Sequence, residues 1–376
     1  MRAINPQQIF CPNLNCPARG QVGAGNISVH SQQEQRYGCE VCQTTFAGSK
    51  GTIFYRLKTD TQLVMIVLTL LAHGCPLQAI VAAYGFDERT IKSWWQRAGE
   101  HCQRVHEHTV GQSQLDLQQV QADEIKVKTQ GGTMWLAMAM MISTRLWLGG
   151  AISPHRDKGL IQAVADQIRA IALCRPLLLA VDGLPSYVKA FQRAFRSKVP
   201  RLGQLGRCQL WSWSEVAIVQ VVKERTAGQL TIQRRIVQGS RQVVQQLIQA
   251  SQGLGGINTA YIERLNATFR QCLASLTRRT RALAQQPETL QAGMYVVGCF
   301  YNFCTYHDSL RVPFYLAKGG CRWLRRTPAI AANLTDHCWT VAELFDFRVP
   351  PSPWIPPKKR GRRSKHTQAL VQQWCQ

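Results

Sequence analysis

Three carboxylates stand where phosphodiester chemistry would need them: Asp123 in the run Val120 to Val127, Asp182 closing the apolar run Leu177 to Val181, and Glu263 inside the helical pattern Asn258 to Arg270. Phosphoryl transfer requires charge neutralisation at a pentavalent phosphate and activation of an oxygen nucleophile. Two divalent ions about 4 Å apart do both, one acting on the attacking water or hydroxyl and the other on the leaving oxygen. Such ions take hard oxygen ligands, which points to two Mg2+ (or Mn2+) ions held by Asp123, Asp182 and Glu263. Glu263, Asn266 and Arg270 are spaced i, i+3, i+7 and share a helix face, so Glu263 can complete the metal shell while Asn266 and Arg270 reach a flanking phosphate or a base at a DNA end. Glu124 adjoins Asp123, but consecutive strand residues point to opposite faces, so the pattern admits one of the two into a site.

A second constellation lies near the N-terminus. Cys11-x4-Cys16 and Cys39-x2-Cys42 are two thiol pairs in turn-rich sequence: Pro12 and Pro17 follow their cysteines, Gly38 precedes Cys39, and Tyr37 and Phe46 flank the second pair. Two such knuckles supply the four-sulfur tetrahedral shell of one structural Zn2+. His30, between the pairs, is either a substitute ligand or a surface residue. Most other cysteines sit singly in apolar surroundings as small buried side chains, with Cys375 as the exposed thiol.

The hydrophobic pattern predicts the elements that must position these groups. Leu77, Ile80 and Val81 have helical spacing, Gly85 breaks it, and Asp87 caps a second helix carrying Ile91, Trp94 and Trp95. In a helix-turn-helix the polar side of that second helix, Arg89, Thr90, Lys92 and Ser93, would touch a DNA groove or its phosphates; an ordinary helical hairpin is the other reading. Further on, Gln119 to Lys128, Thr133 to Ile142 and Arg145 to Ser153 read as three consecutive strands, followed by a helix from Lys158 to Ala172 and a buried strand from Pro176 to Val181. This order places Asp123 and Asp182 on neighbouring central strands of an α/β, ribonuclease-H-like (retroviral-integrase-like) core. The expected segments are a zinc ribbon (1–56), a helix-turn-helix domain (57–112), the catalytic core (113–312, with an insertion at about 200–250) and a C-terminal extension (313–376). The extension carries a stiff proline-rich run, Pro350 to Pro357, and a basic tail, Lys358, Lys359, Arg360, Arg362 and Arg363, expected to hold DNA.

Composition agrees with a polyanionic partner: 45 Lys and Arg face 21 acidic residues, for a formal charge of +24 and a pI near 9.9, which fits DNA or RNA first and also a ribosome-associated or anionic-membrane protein; with the motifs above, double-stranded DNA is the expected partner. A chain of 376 residues with 45% hydrophobic content can fill a core of its own, which excludes a disordered scaffold. The apolar stretch Gln62 to Ala72 is too short to cross a bilayer, so no membrane partner and an intracellular location are expected.

The cysteine pairs, the helix-turn-helix, the three acids and the segment Tyr301 to Leu310 together resemble bacterial insertion-sequence transposases of the DDE class, nearest in type to insertion sequence one. The resemblance covers about residues 8 to 312 and is carried most specifically by Arg36 to Phe46, Gly51 to Leu57 and Asn258 to Arg270. It implies that Asp123, Asp182 and Glu263 form the metal-binding triad, with Asp123 rather than Glu124 in the family position, and that the N-terminal module binds terminal inverted repeats. It further implies Mg-dependent cleavage and joining of DNA strands, by a homo-oligomer in the bacterial cytoplasm at the nucleoid. The chain departs from its relatives at Gly183 to Tyr187, where many are more polar, and beyond Leu316. Two other functions fit the same residues: a zinc-ribbon and helix-turn-helix DNA-binding regulator derived from an inactivated transposase, and a nuclease that hydrolyses without joining. His307 either assists near the scissile phosphate or packs at a helix end.

Overall fold

The computed structural model describes residues 5–201, 206–226, 229–277, 283–284, 286–315, 320–356 and 361–375. The chain divides into two compact units, residues 1–61 with 345–376, and residues 62–344. No described helix is long and apolar enough to cross a membrane.

In the first unit, β1 (Ile27–Ser31), β2 (Arg36–Cys39) and β3 (Thr45–Ala47) form an antiparallel sheet. Phe10, Ile53, Phe54 and Phe345 are buried in this unit. Ile9, Tyr37 and Phe46 make one small cluster, and Cys11, Cys16, Ala18 and Cys39 make another that is closed by Trp374. Trp374 ends the helix Lys365–Trp374, which Ser364 caps by accepting from the Thr367 amide, and the Gln21 side chain donates to the Trp374 carbonyl at 3.1 Å. The proline-rich run is bonded to this unit as well, since Arg19 donates to the carbonyls of Ser352 at 2.7 Å and Pro353 at 2.8 Å. Gly20 is required beneath it: at φ +73° a Cβ would come within 3.0 Å of the Pro351 carbonyl oxygen. The extension read as one segment therefore divides, its last part completing the cysteine-bearing unit. Of the basic tail, Lys358, Lys359 and Arg360 lie outside the described residues, while Arg362 and Arg363 are exposed.

The second unit opens with α1 (Thr61–Ala72), α2 (Leu77–Tyr84) and α3 (Glu88–His106). As the pattern requires, α2 stops where Gly85 takes φ +67°, and the Asp87 side chain caps α3 by accepting from the Arg89 and Thr90 amides at 2.8 and 3.4 Å. There follow β4 (Gln119–Thr129), β5 (Gly132–Met141), β6 (Trp147–Ser153), α4 (Lys158–Ile171), β7 (Leu177–Asp182), α5 (Pro185–Ala194) and a short hairpin of β8 (Arg196–Val199) with β9 (Gln209–Ser212). Then come β10 (Val216–Thr226), β11 (Gln229–Gln238), α6 (Arg241–Gln252), α7 (Ala260–Cys272) and α8 (Pro287–Cys299), and last a separate antiparallel hairpin of β12 (His307–Tyr315) with β13 (Cys321–Arg326).

The unit is a mixed α/β structure around a six-stranded sheet of order β11-β10-β7-β4-β5-β6, in which β4, β7 and β10 are parallel and the other joins antiparallel. Central position explains the unbroken apolar run of β7: a strand covered on both faces shows no alternation. Residues at about 200–250, expected as an insertion, instead supply β10, which pairs in parallel with β7 from Val216–Leu177 to Val221–Asp182. α3 packs on α8 with almost no space between them, since a Cβ on Gly99 would fall 2.3 Å from Ala292. The two helices of the helix-turn-helix pattern thus belong to the same compact unit as the sheet.

Candidate active site and metal centre

The β4–β7 ladder pairs Gln119 with Leu178, Val120 with Leu179 and Gln121 with Ala180, and then stops. The two strands therefore part just before Asp123 and the end of β7, and side chains from both faces of β4 can meet in the gap. Asp123, Asp182 and Glu263 line a single cavity of about 820 Å³ there, together with Arg156, Lys223, Asn266 and Arg270.

Carboxylate oxygens of Asp123, Glu124 and Asp182 lie within 4.8 Å of one another, an all-oxygen set that fits a hard divalent cation. This corrects the inference from strand alternation that Glu124 must face away. Glu124 is buried and accepts from the Tyr187 hydroxyl at 2.7 Å and from Arg156, which also reaches Asp182 Oδ2 at 3.2 Å. Tyr187 lies on α5, just after Asp182, and its hydroxyl holds Glu124 in place. Asp182 Oδ1 accepts from the Leu184 amide at 2.9 Å, and the Gln220 side chain donates to the Asp182 carbonyl at 3.2 Å. Glu263 lies outside the cluster of three carboxylates: it accepts from the Thr259 hydroxyl at 2.9 Å and pairs with Lys223 of β10.

Burial and the adjacent Glu124 charge push the Asp123 carboxyl up to about 7, with Asp182 and Glu263 adding to the effect. Glu124 is raised as well, by burial and by Asp182. Three carboxylates within 4.8 Å of one another, reached by the single cation Arg156, form a cluster that a divalent ion would relieve.

Asn266 was expected to reach DNA. It is instead 1% exposed and donates to Asp123 Oδ2 at 2.8 Å, so it orients a carboxylate. Arg270, on the same helix face, does line the cavity. On α3, Arg89, Lys92 and Ser93 are exposed and Thr90 is half-buried; Lys92 pairs with Glu88 at 2.7 Å, and Trp94 is buried. His307 is not among the residues lining the cavity. It packs edge-on against Tyr301, ring centres 4.4 Å apart, which supports the packing role.

Two positioning residues escaped the sequence reading. Gln121 is fully buried on β4, accepts from the Tyr261 and Ile262 amides at 3.1 and 3.0 Å, and donates to the Asn258 carbonyl at 2.8 Å. It thereby caps the start of α7, where Thr259 makes no side-chain cap bond, and ties the helix of Glu263 to the strand of Asp123. Gln119 ties the end of α6 to the same strand through side chains, its Oε1 accepting from the Ser251 hydroxyl at 2.6 Å and the Gln252 amide group at 2.7 Å. The signal was three polar residues at alternate positions, Gln119, Gln121 and Asp123, on one face of a strand whose start is buried. Gln121→Leu leaves two helix amides without an acceptor and should cost about 2–4 kcal/mol in chemical denaturation. A loss below about 0.5 kcal/mol, the scale of an ordinary surface change, would show that α7 is held by other means.

The four cysteine sulfurs of the first unit also lie within 4.8 Å of one another. Cys11 and Cys42 are 3.6 Å apart and Cys16 and Cys39 3.8 Å. A tetrahedral ion with bonds of about 2.3 Å sets its sulfurs about 3.8 Å apart, whereas a disulfide needs about 2.05 Å. Burial pushes the Cys11 thiol far above its ordinary range and Cys16 up to about 12; at Cys42 partial burial is outweighed by the Thr44 hydroxyl and amide, which bring it down to about 6. Thiolates in such a place require a cation, and the donor set suits zinc. Asn26 Nδ2 donates to Cys39 Sγ at 3.5 Å, a supporting contact of the kind metal-bound sulfurs use. His30 is exposed on β1 and is not part of the group. Cys375 is exposed as expected, but so are Cys174, Cys208 and Cys321, and of the cysteines outside the metal group only Cys102 and Cys299 are buried; small side chains beside apolar sequence end up at the surface as readily as in the core, which corrects the expectation that most are buried.

No protein-family model and no curated protein sequence matches the chain, so the functional reading rests on its own residues.

Proposed function

We propose that the chain is a DNA transposase of the DDE class, a polynucleotidyl transferase with a ribonuclease-H-like core. One observation carries the reading: Asp123 within central β4, Asp182 at the end of its parallel neighbour β7, and Glu263 on a later helix line one cavity beside Arg156, Lys223 and Arg270. Three antiparallel strands followed by two parallel ones, β6-β5-β4-β7-β10, is the strand arrangement that such a core requires.

Asp123, Asp182 and Glu263, joined by Glu124, would hold two Mg2+ or Mn2+ ions. Ions bound there would activate the attacking oxygen and stabilise the leaving one. Asn266 and Tyr187 fix two of the carboxylates before substrate arrives, and Arg156, Lys223 and Arg270 give the rim positive charge for DNA phosphates. In this reading Cys11, Cys16, Cys39 and Cys42 hold one structural zinc. Arg89, Thr90, Lys92 and Ser93 of α3 contact the terminal inverted repeats, and the protein works at the nucleoid as a homo-oligomer. The test is incubation of the full chain with Mg2+, a duplex ending in the repeats that flank its gene, and a target duplex. Cleaved and joined strands support the proposal. Hydrolysis without joining assigns a nuclease, and binding without either assigns a regulator.

Metal affinity should depend on pH in a stated direction. A proton on Asp123 competes with the cation, and that carboxyl is held up to about 7. Affinity for Mn2+ should therefore climb by about tenfold per pH unit up to neutrality and level off above it. Calorimetric titrations on either side of neutrality would check this, and a profile flat below pH 7 would show that Asp123 is already ionised there.

A further inference from the structure

The β12–β13 hairpin stands outside the six-stranded sheet. Pro313 pairs with Trp323 and Tyr315 with Cys321, and alternation along each strand adds Arg311 and Arg325 to the same face. That face is not a core surface. Tyr315 is 76% exposed and Trp323 52%. The Arg311 guanidinium lies 4.5 Å from the centre of the Trp323 ring, and that of Arg325 lies 4.9 Å from Tyr306. Among the described residues of the hairpin, Arg311, Arg322, Arg325 and Arg326 face one carboxylate, Asp308. The hairpin is anchored at its base, where Leu310 is buried and Arg326 donates to the Leu310 carbonyl at 2.8 Å.

We propose that this hairpin binds an unpaired DNA strand, its bases stacked on Trp323 and Tyr315 and its phosphates met by Arg311 and Arg325. The chemistry favours that occupant over an apolar protein surface. Guanidinium groups pressed on exposed rings would be desolvated against an apolar partner with nothing to pair with, whereas a nucleic acid strand offers π-faces and negative charge at the same spacing. Duplex DNA hides its base faces, so the rings select unpaired DNA. The inference rests on the polynucleotide reading of the cavity for its biological setting, and adds to it a separate grip on the single strand that cleavage or joining exposes.

The experiment uses the full chain, an end-labelled oligothymidine and a duplex of equal length. Trp323→Ala with Tyr315→Ala should weaken oligothymidine binding by about tenfold or more and duplex binding far less. Trp323→Phe should restore most of the affinity, and Arg311→Ala should reduce the salt dependence by about one phosphate contact. Oligothymidine binding unchanged in the double variant overturns the hairpin proposal and leaves the cavity reading standing. Failure of the unsubstituted chain to bind either DNA overturns both. A double variant that only loses self-association in sedimentation marks the hairpin as an interface between copies, and overturns the proposal as well.

Discussion

Asp123→Asn, Asp182→Asn and Glu263→Gln should each lower Mg-dependent strand cleavage and joining by roughly a thousandfold or more, while the fold and DNA binding persist. Each change keeps the side-chain volume and removes a charge that a divalent ion needs. The three residues come from a central strand, the end of its neighbour and a helix, and they line the same cavity, so they are expected to act as a unit. A double substitution should then cost little more than a single one. Glu124→Gln separates two roles. Its carboxylate joins the Asp123 and Asp182 cluster but is also held by Tyr187 and Arg156. If Glu124 only orients its neighbours, the loss should be about ten- to a hundredfold, the range for a group that supports a metal ligand; a loss as deep as that of Asp182→Asn makes it a ligand. Robust strand transfer by Asp182→Asn, or DNA binding lost equally in all the variants, would mark the acids as structural and sink the mechanism.

Local chemistry was legible in the sequence wherever a residue type has few uses. Gly85 and Asp87 stop one helix and start the next as their types demand, and the strands and helix between Gln119 and Asp182 form with ends shifted by only a few residues. The four cysteines converge because paired thiols on knuckles have one ready arrangement. What stayed hidden depends on which strand lies beside which. Alternation along β4 correctly separates Asp123 from Glu124 by face, but only the end of the β4–β7 ladder at Gln121 reveals a gap that both carboxylates can enter. The parallel pairing of β10 with β7 joins segments with a helix and a hairpin between them, and nothing in the run Val216 to Val222 names its partner. Asn266 shares the helix face of Glu263 and Arg270, as its spacing requires, but burial decides that it serves Asp123 rather than DNA.

Removal of metal, or Cys39→Ser, should unfold the first unit and leave the second standing. The three-stranded sheet belongs to a small unit, and one of its apolar clusters is built on the cysteines themselves, so losing the metal takes away part of the core as well as the cross-link. A structural zinc contributes about 10–16 kcal/mol in isolated finger peptides, as much as the whole stability of an ordinary domain. The C-terminal helix should be released together with the knuckles, because Trp374 and Leu370 pack on Cys11, Cys16 and Cys39 rather than on a core of their own. Metal analysis should therefore give about one zinc per chain. After chelation, limited proteolysis should cut residues 5–61 and 361–375 in the same phase while 62–344 stays protected. Trp374→Ala should loosen the terminal helix without displacing the metal, which separates packing on the cluster from coordination by it. Cys39→Ser with unchanged zinc content and an unchanged proteolysis pattern would mean that the four thiols are held together by the fold alone, and that the unit needs no metal to close.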